Sequence, residues 1–194
     1  MKNLNCLLCG VGGQGTVLAS KLIAGAAMEK GLTARTAETI GMAQRGGCVV
    51  SHVRTGEVVH SPMIPKGEAD VIIAFEPAEA VRCLEYLRDG GTVITARKAV
   101  RPVTATLGGS GYTGGEMLDY LAAKSIKLIV VDGEAICAEC GSSKVLNVAL
   151  LGAAAHCGAL GITSSELEGI ILQRVPQKFH ELNLKALKLS EKYI

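Results

Sequence analysis

The sequence predicts an α/β protein built on a doubly wound, mostly parallel sheet with an antiparallel hairpin and C-terminal helices. Three observations carry this. Short apolar runs of strand length alternate with longer segments of helical period. A glycine-rich turn follows the first apolar run and opens the first helix. A chain of 194 residues, 48% apolar and 20% charged, has the size and composition of one folded domain with a sizeable core. Residues 1–194 therefore read as a single domain.

Residues 4–9, LNCLLC, form a buried parallel strand, since the run is apolar throughout and stops at Gly10. Helix 15–30 follows, with Val17, Leu18, Leu22 and Ala26 on one side and Gly31 as its stop. TARTAE at 33–38 is the second strand. After the loop TIGMAQRGG, CVVSHVR at 48–54 turns at Thr55-Gly56 into EVVHSPM at 57–63, and these two make the expected hairpin. DVIIAF at 70–75 is a buried strand. Pro77 starts a helix expected to run to residue 88, where Asp89-Gly90-Gly91 ends it ahead of strand 92–96. Residues 97–113 read as a loop, 114–124 as a helix and 127–132 as a strand. Helix 144–157 is apolar almost all round, so it must be buried in the core or under a partner. Thr163 with Glu166 makes a capping box for helix 163–174. In the last helix, from Pro176, Phe179, Leu182, Ala186, Leu189 and Tyr193 form one stripe, which reads as a face docked on the core.

Composition excludes several functions. Lys+Arg 20 against Asp+Glu 18 leaves a net charge of +2, no polyelectrolyte signal for nucleic acid. Two Phe, four Tyr and no Trp provide almost no rings for stacking bases. No apolar stretch of about 18 residues suggests a membrane span, and MKNLNCLLCGVGGQG is not a secretory leader. Seven Cys, an odd number, suit free thiols in a reducing compartment, so the chain reads as cytoplasmic.

Gly10-Val11-Gly12-Gly13-Gln14-Gly15 fits G-x-G-x-x-G in its strand-to-helix context. Glycines let the backbone approach a bound group, and the helix N-terminus offers N–H groups to an anion. The alternative is a tight crossover with nothing bound. A nicotinamide dehydrogenase would place an acid about 20 residues further on; Glu38, 23 residues past Gly15, fits only roughly. No hydride-site acid–base pair is evident. His52, His60, His156 and His180 read as surface or satisfied histidines, and Arg54 as a solvated strand residue. The second glycine-rich segment, Glu38 to Gly47, brings Gln44, Arg45, Gly46 and Gly47 to the carboxyl edge of the sheet beside the first loop. Arg45 there either pairs with a phosphate or carboxylate or staples a loop or interface.

GVGGQG, then ETIGMAQRGG, SHVR, Ser61-Pro62 and GEADVIIAFEPAEAVR at 67–82 resemble the gamma-type subunit of 2-oxoacid:ferredoxin oxidoreductases. LNVALLGAAAHCGALGIT and NLKAL resemble the small, beta subunit of the indolepyruvate type. The resemblance covers nearly the whole chain, and GGQG with AQRGG is its specific pair. It implies a Rossmann-like subunit of an enzyme that oxidatively decarboxylates a 2-oxoacid with CoA to acyl-CoA and CO2, passing electrons to ferredoxin. It also implies that a large alpha subunit carries thiamine diphosphate, Mg²⁺ and iron–sulfur clusters.

The residues are consistent with that division. Clusters need closely grouped thiolates, yet Cys6 and Cys9 lie three apart on a strand and should face opposite ways. Cys137 and Cys140 end a short helix, and Cys48, Cys83 and Cys157 are isolated. Asp132-Gly133-Glu134 lacks the rest of a thiamine diphosphate motif. No cofactor or metal is expected on this chain, CoA is the expected co-substrate, and the chain should not act alone. Two other readings remain at this point: an independent NAD(P)-binding oxidoreductase, or a non-catalytic scaffold module.

Overall fold

The computed structural model describes residues 3–40, 47–100 and 112–194. Six strands form one sheet: β1 (Leu4–Val11), β2 (Thr33–Ile40), β3 (Cys48–Gly56), β4 (Ala69–Ala74), β5 (Leu87–Ala96) and β6 (Lys127–Val131), in the spatial order β2-β3-β1-β4-β5-β6. β1, β4, β5 and β6 pair in parallel, while β3 is antiparallel to both of its neighbours.

The described helices are α1 (Thr16–Glu29), α2 (Pro77–Cys83), α3 (Gly115–Ala122), α4 (Gly133–Cys140), α5 (Leu146–His156), α6 (Ser164–Arg174) and α7 (His180–Leu189). Alternation along β1 divides the core in two. Cys6 and Leu8 pack with α1, α5, α6 and α7 on one face, and Leu7 and Cys9 with α2 and α3 on the other. The opposite orientation of Cys6 and Cys9 follows from the period of two. No helix among the described residues is long and apolar enough to cross a membrane.

The antiparallel hairpin exists, but its strands are β2 and β3. Thr33 faces Gly56 and Ile40 faces Val49. The strand expected at 57–63 does not form. β3 is buried on both faces and has a hydrogen-bonding neighbour on each side, β2 and β1, which leaves no vacancy for a third. Pro62 and Pro65 also break any ladder there. Side chains hold the segment instead. Arg35 Nε donates to Val59 O at 2.9 Å, and Arg54 donates to Ser61 O and Met63 O at 3.2 Å each. Arg54 is thus a staple rather than a solvated strand residue, and its Nε also reaches Asn5 Oδ1.

Buried His52 belongs to the same strap. Its Nδ1 accepts from Ile64 N at 3.2 Å, and its ring meets Tyr86 edge-on. Burial disfavours the charged ring and lowers its pKa. Because the folded value lies below the unfolded one, stability should fall as pH drops below about 6.5, the ordinary histidine value. Urea midpoints at pH 7.5 and 5.5 should differ more for the wild type than for H52Q; equal differences would remove His52 as a cause.

Two other boundaries differ from the sequence reading. α2 ends at Cys83, followed by a 3-10 turn at Leu84–Tyr86, and Asp89-Gly90-Gly91 lies within β5. There the register jumps from Ala69↔Leu87 to Val71↔Thr92, so residues 88–91 bulge out opposite Asp70. Arg88 Nε closes the bulge onto Asp70 Oδ1 at 2.7 Å. In the last helix the buried line is Asn183, Ala186, Leu187 and Ser190, while Phe179 is exposed. The expected stripe sits beside that line, with Leu182, Leu189 and Tyr193 half-buried against the core.

The apolar helix is α5, and every residue from Asn147 to Ala154 is buried. It runs through the middle of the helical layer, against α1, α4, α6, α7 and the sheet. Its apolar character is therefore satisfied within the chain and does not call for a partner. Gly152 lets α7 come close, since a Cβ there would stand 2.9 Å from Leu187 O.

The capping box forms as expected. Thr163 Oγ1 accepts from Glu166 N at 3.2 Å, and Glu166 Oε2 accepts from Thr163 N at 2.7 Å. Thr163→Ala should cost about 1 kcal/mol, which a thermal melt would show as a fall of about 2–4 °C in Tm.

Candidate functional site at the sheet switch point

From β1 the chain crosses by α1 toward β2, and from β4 it crosses by α2 toward β5, in the opposite direction. β1 and β4 are adjacent, so the switch point lies between their carboxyl ends, where open α/β sheets place ligands. Residues 10–15 follow β1 there, and Phe75-Glu76-Pro77 follows β4.

Gln14 spans this gap. Its Oε1 accepts from Val11 N at 2.8 Å and its Nε2 donates to Phe75 O at 3.1 Å. Phe75 N donates in turn to Cys9 O at 2.8 Å. The Gln14 side chain is therefore committed to holding the loop. The glycines divide in a similar way. A Cβ on Gly10 would stand 2.6 Å from Gln14 Oε1 and 2.8 Å from Phe75 Cβ, and one on Gly15 would stand 2.8 Å from Asn147 Nδ2. These two serve close packing inside the chain. Gly13, at φ +100°, has no atom within 4 Å of its Cβ position and borders open space.

Gly12 N donates to Gly47 O at 2.9 Å, which brings the end of the second glycine-rich segment onto the first loop. Gln44, Arg45 and Gly46 lie outside the described residues. α1 begins at Gly15 with no side-chain cap, so its first-turn N–H groups have no partner within the helix. Uncapped donors, the positive end of the helix dipole and open space at Gly13 make the loop suitable for an anion.

The other wall was not foreseen. Glu76 caps α2, accepting from Glu79 N at 3.0 Å and from the Tyr112 hydroxyl at 2.5 Å. Glu79 accepts from Arg82 Nε at 3.2 Å and from the Cys48 thiol at 2.6 Å. Both carboxylates are buried, and each is matched by two donors. Burial and the Glu79 carboxylate push the Cys48 thiol up to about 12, so it stays protonated. Cys9 keeps its proton too, through its hydrogen bond to Cys83 and through burial. These groups anchor α2 and β3 to the sheet edge as satisfied struts. The one sequence signal was a Glu before Pro at a helix start, where Ser, Thr, Asp or Asn is more usual. Among the described residues no three His, Cys, Asp or Glu side chains gather as a metal-binding group.

Glu38 does not take the position of a ribose-binding acid. In the dinucleotide fold the acid-bearing β2 lies directly beside β1. Here β3 stands between them, displacing Glu38 by one further strand spacing of about 4.8 Å. Its carboxylate lies on the surface, 3.4 Å from Ser20 Oγ. His60 is also at the surface, and His180 is satisfied by Val175 O at 2.6 Å.

The family model for pyruvate ferredoxin/flavodoxin oxidoreductase matches residues 5–193. The chain belongs to this family. It is 36% identical over 99% of its length to the indolepyruvate oxidoreductase subunit IorB of Pyrococcus horikoshii, covering 96% of that protein. Identity to the IorB of Archaeoglobus fulgidus is 40%, over 96% of this chain and 93% of the relative. Its fold is similar to the crystal structure of a keto/oxoacid ferredoxin oxidoreductase gamma subunit from Geobacter sulfurreducens, with a TM-score of 0.74 at 22% identity, covering 100% of this chain and 97% of that one.

Proposed function

We propose that this protein is the small subunit of an indolepyruvate-type 2-oxoacid:ferredoxin oxidoreductase that works in the cytoplasm. The complex oxidatively decarboxylates an aryl pyruvate with CoA to acyl-CoA and CO2 and passes the electrons to ferredoxin. Membership of the oxidoreductase family over residues 5–193 is the observation that carries the reading. Full-length similarity to two IorB subunits supports the indolepyruvate type. Thiamine diphosphate, Mg²⁺ and the iron–sulfur clusters belong to a large alpha subunit and supply the decarboxylation and electron transfer. This chain adds the crevice between β1 and β4.

In that crevice the backbone of Gly12, Gly13 and Gly15 lies beside an anionic group of CoA, with Gly10 and Gln14 shaping the loop, and Gln44, Arg45, Gly46 and Gly47 belong to the same set of binding residues. Arg45 is the group that pairs with a phosphate. Co-purified with the large subunit, R45A should raise the KM for CoA about tenfold or more, the worth of a charge-assisted hydrogen bond. The large subunit without this chain should turn over 2-oxoacid, CoA and a dye acceptor far more slowly than the complex. Equal rates would overturn the assignment.

A further inference from the structure

Asn147 lies in the first turn of α5, where that helix meets the glycine loop. The residue is 3% exposed. Its Oδ1 accepts from Val148 N at 2.9 Å. That bond orients the amide, because only the oxygen can face an N–H donor. The donor end, Nδ2, therefore lies against Gly15. Neither of its protons meets an acceptor among the described residues. Nor is it sealed: the one fully buried side-chain polar atom without a partner among them is Ser51 Oγ. A buried amide whose donor end has no partner is a group that awaits an acceptor.

Gly15 is also the uncapped start of α1. Donors from two different elements thus lie at Gly15: the amide of Asn147 and the first-turn N–H groups of α1, which have no partner within the helix. Gly13 beside them leaves open space. Several neutral N–H donors at the positive end of a helix match a phosphoryl group, which offers several acceptor oxygens and negative charge.

We propose that Asn147 Nδ2 and the first turn of α1 together bind a phosphoryl group, making Asn147 a ligand-binding residue of the small subunit. This rests on the function proposed above. The phosphoryl group comes either from CoA or from the thiamine diphosphate of the large subunit.

The test uses the co-purified complex with N147A and N147D, titrated separately with CoA, thiamine diphosphate and the 2-oxoacid. N147A removes the donor without adding charge and should raise one half-saturating phosphoryl-ligand concentration about 3- to 10-fold, with kcat within about twofold of wild type. N147D keeps the acceptor for Val148 N but puts an anionic oxygen where Nδ2 was, so the same constant should rise more than about tenfold. A rise for CoA or for thiamine diphosphate supports the proposal and names the source. Unchanged constants for both in N147A overturn it. So does a shift confined to the 2-oxoacid, or a loss of complex and of kcat at wild-type half-saturation. If R45A impairs CoA use and N147A shifts neither the CoA nor the thiamine diphosphate constant, the Asn147 proposal fails and the assigned function stands. If the large subunit alone is fully active, the function itself fails.

Discussion

Phe75→Ala should lower the melting temperature by roughly 6–20 °C, the largest effect expected of any single substitution here. Phe75 is 1% exposed and the bulkiest of the fully buried side chains described. Removing such a ring costs about 3–5 kcal/mol, through lost transfer energy and the cavity left behind. The position makes the upper end reasonable. Phe75 packs against Gly10 through its Cβ, while its backbone joins Cys9 O to Gln14 Nε2 across the switch point. The surroundings cannot collapse freely onto the void without pulling the glycine loop away from β4. Thermal melts by circular dichroism would measure the shift. A fall of under about 3 °C, the worth of roughly 1 kcal/mol, would mean that this contact does not hold the sheet edge together.

Gly15→Ala should destabilise the chain by about 2–4 kcal/mol through two separable causes. At φ +85° an L side chain is strained. Its Cβ would also stand 2.8 Å from the buried Asn147 Nδ2, which must then move. Gly13→Ala provides the comparison, because φ is +100° there but nothing lies within 4 Å. G13A should carry the backbone strain alone, and the difference between the two urea midpoints isolates the Asn147 contact. Equal midpoints would show that Gly15 and Asn147 are not tightly packed. Within the complex, G15A should also weaken use of the same phosphoryl ligand as N147A, since it displaces the same amide.

Much of this organisation was legible from local pattern. The buried strand, the glycine turn and the helix after it came from residues 4–30, where apolar run, Gly spacing and helical period all agree. Thr163 and Glu166 announced their capping box through a rule that operates within one helical turn. The two glycine-rich segments were expected to meet, and Gly12 N on Gly47 O is that meeting for the described residues.

The errors have physical causes too. A strand buried on both faces has the same sequence pattern whether its neighbour is β2, β1 or the segment after it, so the local pattern pairs 48–54 with 57–63. Pro62 and Pro65 were visible there, and they argued against a ladder. The all-apolar α5 pointed equally to a core or to a partner, because hydrophobicity is non-directional and does not name what covers it. Glu76, Glu79, Cys9, Cys48 and Cys83 are spread over more than seventy residues of sequence, and no local rule relates them.

By itself, then, the sequence determined the class of fold, the strand-to-helix glycine turn and the family, since these reside in short-range periodicity and in motifs of contiguous residues. The tertiary structure decided how those parts are used. It inserted β3 between β1 and β2, which moves Glu38 out of reach of a dinucleotide ribose. It committed Gln14 to bridging β1 and β4. It also brought Asn147, 132 residues beyond Gly15, onto the start of α1. The reason is the same in each case. Such contacts are set by which strands pair and which helices pack once the whole core is buried, and chain-local propensities contain no term for that.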